Sequence, residues 1–332
     1  MGALSVLARA VSAMLVPLIV VLLGFIALLW SAERFVGAAA ATAHRAGMST
    51  LLVGMTIVAL GTSAPEIVVS AMASLDGIPD LAIGNALGSN IANLGLVLGV
   101  TALVVPIPVR FSIVRRELPL LLGATGLAGY ALANGILGRI DALLLILLLV
   151  FSLWWLVRAD TPDAAPVGEI PDMRLPRALF WLVLTLVVMG IGSRALVWGA
   201  SELARGLGVS ELAIGLTVVA IGTSLPELAA CVASALKRHH DIAIGNVIGS
   251  NLFNMLAVLP VPGLLAPGLI DPAAGSRDFP VMLVLTLALG MLLLWQRRGQ
   301  LGRLPGGLLA LSYAGYLTWL GIASLAAPAP VF

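Results

Sequence analysis

Gly54-Met-Thr-Ile-Val-Ala-Leu-Gly-Thr-Ser-Ala-Pro-Glu66 recurs later in the same chain as Gly215-Leu-Thr-Val-Val-Ala-Ile-Gly-Thr-Ser-Leu-Pro-Glu227. Asp80-Leu-Ala-Ile-Gly-Asn-Ala-Leu-Gly-Ser-Asn-Ile-Ala-Asn93 recurs as Asp241-Ile-Ala-Ile-Gly-Asn-Val-Ile-Gly-Ser-Asn-Leu-Phe-Asn254. Every match keeps one offset of 161 residues, and 19 of 41 positions are identical between 54–94 and 215–255. Shared apolar composition does not produce that agreement at Gly, Ser, Asn, Pro and Glu. The chain holds two copies of one structural unit.

The surroundings of the repeat set the class. The 332 residues are 60% hydrophobic and 10% charged, against about 25% charged in a soluble domain. That is too little charge to cover a water-facing surface, and too much hydrophobicity for disorder. A net charge of +2 is too small for a nucleic-acid partner. The single cysteine, Cys231, forms no internal disulfide or thiolate cage and reads as a packing residue. A polytopic helical membrane protein remains. A spanning helix needs about 20 apolar residues, and ten segments can be laid out: 12–40, 50–74, 81–105, 118–136, 140–158, 178–205, 211–235, 242–266, 279–296 and 306–326. The run Leu15–Trp30 is read as a retained first helix and not a signal peptide, because the repeat includes it.

The offset covers five segments, an odd number, so the two copies enter the membrane from opposite sides. The expected fold is all-α, with ten transmembrane helices as two inverted five-helix repeats, an arrangement found in secondary transporters. Residues 1–158 make the first half and 178–332 the second. Residues 159–177, with four prolines, link them. Loops joining segments 1–2, 3–4, 5–6, 7–8 and 9–10 hold twelve Lys and Arg residues, and the opposite loops hold three. The positive-inside rule places the twelve in the cytoplasm and both termini outside.

Glu66 and Glu227 fall near mid-helix. A carboxylate at membrane depth is costly and marks a functional site by default. Arg34 and Arg194, read at helix ends, are the only cations near enough to compete for them. Pro65 and Pro226 lack the N–H that would bond the carbonyl four residues back, which is expected to free carbonyls around Gly61 and Thr62 and around Gly222 and Thr223. Carboxylates beside free carbonyls are hard oxygen ligands of the kind Ca²⁺ and Na⁺ take. Asn85, Ser89 and Asn93 recur at i, i+4 and i+8, as do Asn246, Ser250 and Asn254, giving each following helix a polar stripe. Ser89, Asn93, Ser250 and Asn254 are candidate ligands. Asn85, Asn90, Asn246 and Asn251 are either ligands or interhelical hydrogen-bonding glue. Gly84, Gly88, Gly245 and Gly249 offer small faces for close helix approach. Asp80 and Asp241 read as helix caps.

The repeated Gly-Thr-Ser-x-Pro-Glu followed by Gly-Ser-Asn-x-x-Asn resembles the α-repeats of the cation/calcium antiporter superfamily, above all its sodium/calcium exchangers and their bacterial relatives. The resemblance covers nearly the whole chain. It implies a calcium/sodium antiporter of the bacterial inner membrane, with Ca²⁺ held by Glu66, Glu227 and the carbonyls of Thr62 and Thr223. It implies Na⁺ sites at Ala59, Ser63 and Ser250 and at Ala220, Ser224 and Ser89, with Asn93 and Asn254 at the centre. Where this chain has Asn254, some exchangers have Asp. The proton/calcium branch also lacks central acids but typically carries Gly-Asn-Ala-x-Glu, so sodium coupling is the first reading and proton coupling the alternative.

No cofactor, nucleic acid or obligate protein partner is implied; the partners are the bilayer and the ions. A passive channel is disfavoured because channels build rings of one filter. An intramembrane metal-dependent enzyme is disfavoured because no H-E-x-x-H or nucleophile accompanies the carboxylates. Small residues at 37–43 and 199–206 give segments 1 and 6 smooth faces, expected to slide against a rigid core.

Overall fold

The structure is a computed structural model that describes residues 2–109, 111–160, 170–207, 220–295 and 300–326. These residues run through ten helical segments in chain order: α1 (Gly2–Ala46), α2 (50–75), α3 (Pro79–Val104), α4 (Phe111–Ala133), α5 (Arg139–Ala159), α6 (Leu175–Gly206), α7 (220–236), α8 (His240–Leu265), α9 (274–295) and α10 (Arg303–Ala326). Six of them (α1, α3, α5, α6, α8 and α9) are each long and apolar enough to cross a bilayer, and α2 qualifies as a span bent by 41°. The first part of the expected seventh segment, 211–219, lies outside the described residues, as do residues 161–169 of the linker.

Helix bounds differ most from the sequence reading at α1, at the start of α4 (expected at 118, found at Phe111) and at the start of α9 (expected at 279, found at Ala274). α1 was expected over 12–40 but runs from Gly2 to Ala46. Sizing the span to the bilayer missed its two ends, 2–11 and 41–46, which contain no proline and continue the helix. The helix stops where Gly47 takes φ +66° and Met48 N–H bonds back to the Ala43 carbonyl at 3.0 Å, a glycine C-cap. For the same reason Arg34 lies well inside α1, not at its end, and Arg194 well inside α6. Ile78, not Asp80, is the N-cap of α3, and the Asp80 carboxylate accepts the Asp271 N–H at 2.8 Å, tying the first turn of α3 to the loop before α9. His239 is likewise the N-cap of α8 in place of Asp241.

The repeat is visible as geometry. Both α2 and α7 break at a serine, Ser63 and Ser224, immediately before the proline turn. Both α3 and α8 widen into a π-turn at the same offset, Asn93–Val97 and Asn254–Val258. Gly77 (φ +78°) closes the α2–α3 turn, and Arg238 holds the matching position at φ +63°. A left-handed arginine costs strain that glycine avoids, so the turn shape is imposed by the helices it joins. The expectation of an all-α chain missed four two-residue strands: β1 (Ile107–Pro108), β2 (Ile136–Leu137), β3 (Gly268–Leu269) and β4 (Gln300–Leu301). β1 pairs with β4 and β2 with β3, both antiparallel. Each ladder joins one half to the other, at opposite ends of the helices.

α1 and α6 pack against each other along their length, backbone to backbone at Gly24, Gly192 and Gly199. The main core is built from the other eight helices. Within it α8 lies directly on α2. A Cβ added at Gly245 would come within 2.8 Å of the Leu51 carbonyl oxygen, and one at Gly249 within 2.4 Å of the Met55 carbonyl oxygen. Only glycine permits that approach. Gly249→Ala should therefore destabilise the protein by about 1–3 kcal/mol through overpacking. Gly123→Ala, with nothing within 4 Å of the added atom, should leave the detergent melting temperature unchanged or raised. Equal melting temperatures for the two variants would contradict this packing.

Candidate functional site

Glu66 and Glu227 occupy the first turn after the two breaks. They are 4% and 2% exposed, and their charges act on one another. One oxygen of each, Oε2, has no hydrogen-bond partner. No described cation answers them. Arg34 lies over the Trp30 ring at 4.6 Å, and Arg194 is exposed. Among the described residues there is no cluster of three or more His, Cys, Asp or Glu. A cation here would rest on two carboxylates and on neutral oxygens.

The residues expected to supply neutral oxygens are buried as well. Ser63, Ser224, Ser89, Ser250, Asn93, Asn254 and Ala59 are all buried. Ser63 Oγ, Asn93 Oδ1 and Asn254 Oδ1 have no hydrogen-bond partner. Asn90 and Asn251 are buried with both side-chain polar atoms unpartnered, so they are not the glue that was one reading of them. Buried polar atoms without partners are rare in folded proteins and require a reason. Ala220 begins the described part of α7.

The two copies then diverge. Thr62 is buried, with Oγ1 at 3.2 Å from Asn246 Oδ1 and 3.4 Å from Ser250 Oγ. This joins the α2 break to the α8 stripe. Its counterpart Thr223 is exposed. Asn246 donates to Cys231 Sγ at 3.3 Å, whereas Asn85 donates to the Glu66 carbonyl at 3.4 Å. Cys231 replaces Ser70 at the matching position. Each donates to the matching alanine carbonyl, Ala243 at 3.5 Å and Ala82 at 3.4 Å. Of the carbonyls that the prolines leave unbonded, that of Gly222 is taken by the Ser193 hydroxyl of α6 at 2.7 Å. The Ala59 carbonyl accepts the Ser63 N–H at 2.9 Å. These two oxygens are therefore already engaged.

Residues 16–158 and 177–321, which carry both broken helices and both buried carboxylates, match a known protein family, that of the sodium/calcium exchanger protein. The chain belongs to the sodium/calcium exchanger family. It is a multi-pass membrane antiporter and not an enzyme. It is 42% identical over 319 residues to the inner membrane protein YrbG of Escherichia coli, covering 93% of this chain and 97% of that one. It is 46% identical over 314 residues to the putative antiporter CaxA of Alkalimonas amylolytica, covering 91% and 98%. A solved structure of the exchanger NCX_Mj superposes with a TM-score of 0.79 at 31% identity, covering 95% of this chain and 100% of that chain.

Reading this exchanger's charges as loop residues missed a second pair of buried acids. Glu117 and Asp278 are 6% and 8% exposed and lie at the same 161-residue offset, in Arg116-Glu117-Leu118-Pro119 and Arg277-Asp278-Phe279-Pro280. The recurrence was available as a signal. Arg277 bonds both oxygens of Asp278, at 2.8 and 3.1 Å, and the Tyr316 hydroxyl donates to Asp278 Oδ1 at 2.9 Å. Arg116 instead donates to the Ala159 carbonyl at 2.6 Å. Arg277 is only partly buried, yet removing Asp278 alone leaves its charge without the partner that holds it. Asp278→Leu should therefore lower the melting temperature more than the double variant Arg277→Met/Asp278→Leu. The reverse order would show that the pair does not act as a unit.

Proposed function

We propose that the protein exchanges Ca²⁺ for Na⁺ by alternating access to a midplane site whose charge is supplied by Glu66 and Glu227. The observation that carries this reading is the pair itself: two carboxylates from oppositely oriented repeats, buried at broken helices, each with an orphaned oxygen. Ca²⁺ would rest on both carboxylates and on the carbonyls of Thr62 and Thr223. Na⁺ would take Ala59, Ser63 and Ser250 on one side and Ala220, Ser224 and Ser89 on the other, with Asn93 and Asn254 central. The arginine-rich loops face the cytoplasm of a bacterial cell, the termini face outward, and no cofactor takes part. The name of YrbG, an inner membrane protein, supports the location, and that of MaX1 of Methanosarcina acetivorans, a sodium/calcium exchanger 29% identical to this chain over 347 residues, supports the ions.

The charge account explains obligatory exchange. Two ionised carboxylates carry −2, which one Ca²⁺ or two Na⁺ neutralise, so a loaded site can cross a low-dielectric barrier that an empty one cannot. With Asn at both central positions, a third Na⁺ would have to rest on neutral oxygens and would make exchange electrogenic. Glu66→Gln and Glu227→Gln should each abolish Na⁺-gradient-driven ⁴⁵Ca²⁺ uptake into proteoliposomes. Asn254→Asp should retain uptake with an altered Na⁺ dependence. Wild-type uptake by Glu66→Gln would end the paired-carboxylate mechanism. Uptake driven by a proton gradient without Na⁺ would reassign the counter-ion.

A further inference from the structure

α1 and α6 are related by the repeat, yet they contact the core differently. On the face that carries the α7–α8 turn, α1 lies along residues 225–236 of α7. There Pro226 and Ala230 are buried, and Leu225, Ala229 and Ala233 are half-buried. At the outer end of this contact, Lys237 Nζ stands 3.4 Å from Glu33 Oε1 and donates to the Glu33 carbonyl at 3.0 Å. On the opposite face the matching stretch of α2 is uncovered: Ala64 and Pro65 are exposed, and Val68 and Met72 are 56% and 60% exposed. α6 does not pack along it.

The matching residues of the ion pair decide what this asymmetry means. The 161-residue offset sends Glu33 to Arg194 and Lys237 to Asp76. Both signs are reversed, so the attraction survives with its polarity exchanged. The two turns carry their charges on equivalent backbone. Lys237 N–H bonds the Ala233 carbonyl at 3.0 Å and Asp76 N–H the Met72 carbonyl at 2.9 Å, and the next residue is left-handed in both. Yet Arg194 and Asp76 are exposed, and no described ion pair joins them. An inverted repeat reaches its opposite-facing state when the halves exchange conformations. That exchange would lay α6 on Val68 and Met72 and bring Arg194 to Asp76.

We propose that Glu33–Lys237 and Arg194–Asp76 are two ion-pair latches, one at each face, that close alternately. The proposal rests on the alternating-access reading but not on which ions are carried. An exposed ion pair is a weak tie, as a bond broken in every cycle must be. Removing one latch should therefore shift the ratio of the two states by a few-fold, up to about tenfold.

The test is disulfide trapping in membranes, in a Cys231→Ser background that removes the one native thiol. Glu33→Cys/Lys237→Cys and Asp76→Cys/Arg194→Cys should each cross-link, each should stop exchange, and reductant should restore it. In the quadruple variant, single molecules should carry one bond or the other but not both. Lys237→Glu added to Asp76→Cys/Arg194→Cys should speed its cross-linking a few-fold, and Glu33→Lys/Lys237→Glu should return the rate to its original value. If the 76–194 bond never forms while exchange proceeds, or forms at a rate indifferent to residue 237, the latch is overturned and alternating access stands. Both bonds closed in one molecule that still exchanges ions would overturn alternating access with it.

Discussion

A carboxylate held away from water with no fixed cation beside it is among the most expensive groups a membrane protein can hold, and the described residues place one in each repeat, Glu66 and Glu227. Their placement accounts for much of the surrounding architecture. Each sits after a break that only a proline and a serine turn make possible, so backbone oxygens gather near it. Each faces a helix whose polar stripe ends in a π-turn beginning at an asparagine. The buried carboxylate, hydroxyl and amide oxygens gathered on these elements are the ligand type that a small hard cation takes.

The glycines of α8 set how tightly that enclosure can close. Because Gly245 and Gly249 bring the α8 backbone against that of α2, the polar side chains of both helices share one small volume. Thr62 and Asn246, nearly two hundred residues apart in sequence, are thereby within hydrogen-bonding distance. The thiol of Cys231 holds the other end of Asn246 and turns its oxygen toward Thr62. Packing and site geometry cannot be separated here: a methyl group at 249 would act on the ion site by moving a helix.

Much of this was legible in the sequence because the repeat compares the chain with itself. Identity at Gly61, Thr62, Ser63, Pro65 and Glu66 with their counterparts identifies the breaks without any structure. What remained hidden has physical causes. The true length of α1 was not visible because a span was sized to the bilayer and this helix continues beyond that length at both ends. Glu117 and Asp278 drew no reading, since burial is not visible in a charge count. The unlike surroundings of Thr62 and Thr223 could not be read at all, since identical residues in a symmetric sequence carry no record of which half is closed.

The two short ladders have a consequence for assembly. β1 and β2, from the first half, find their partners in β4 and β3, from the second, so neither half can complete its own edge pairing. During synthesis the first five helices must wait in the bilayer, with two strand edges unsatisfied, until residues beyond 300 have been made. Contacts between such distant parts of a chain form late and slowly. The ladders, reciprocal and at opposite ends, then act as paired clasps that register one half against the other once both are present. A break in the peptide backbone between the halves would leave those clasps, and the helix packing between them, in place.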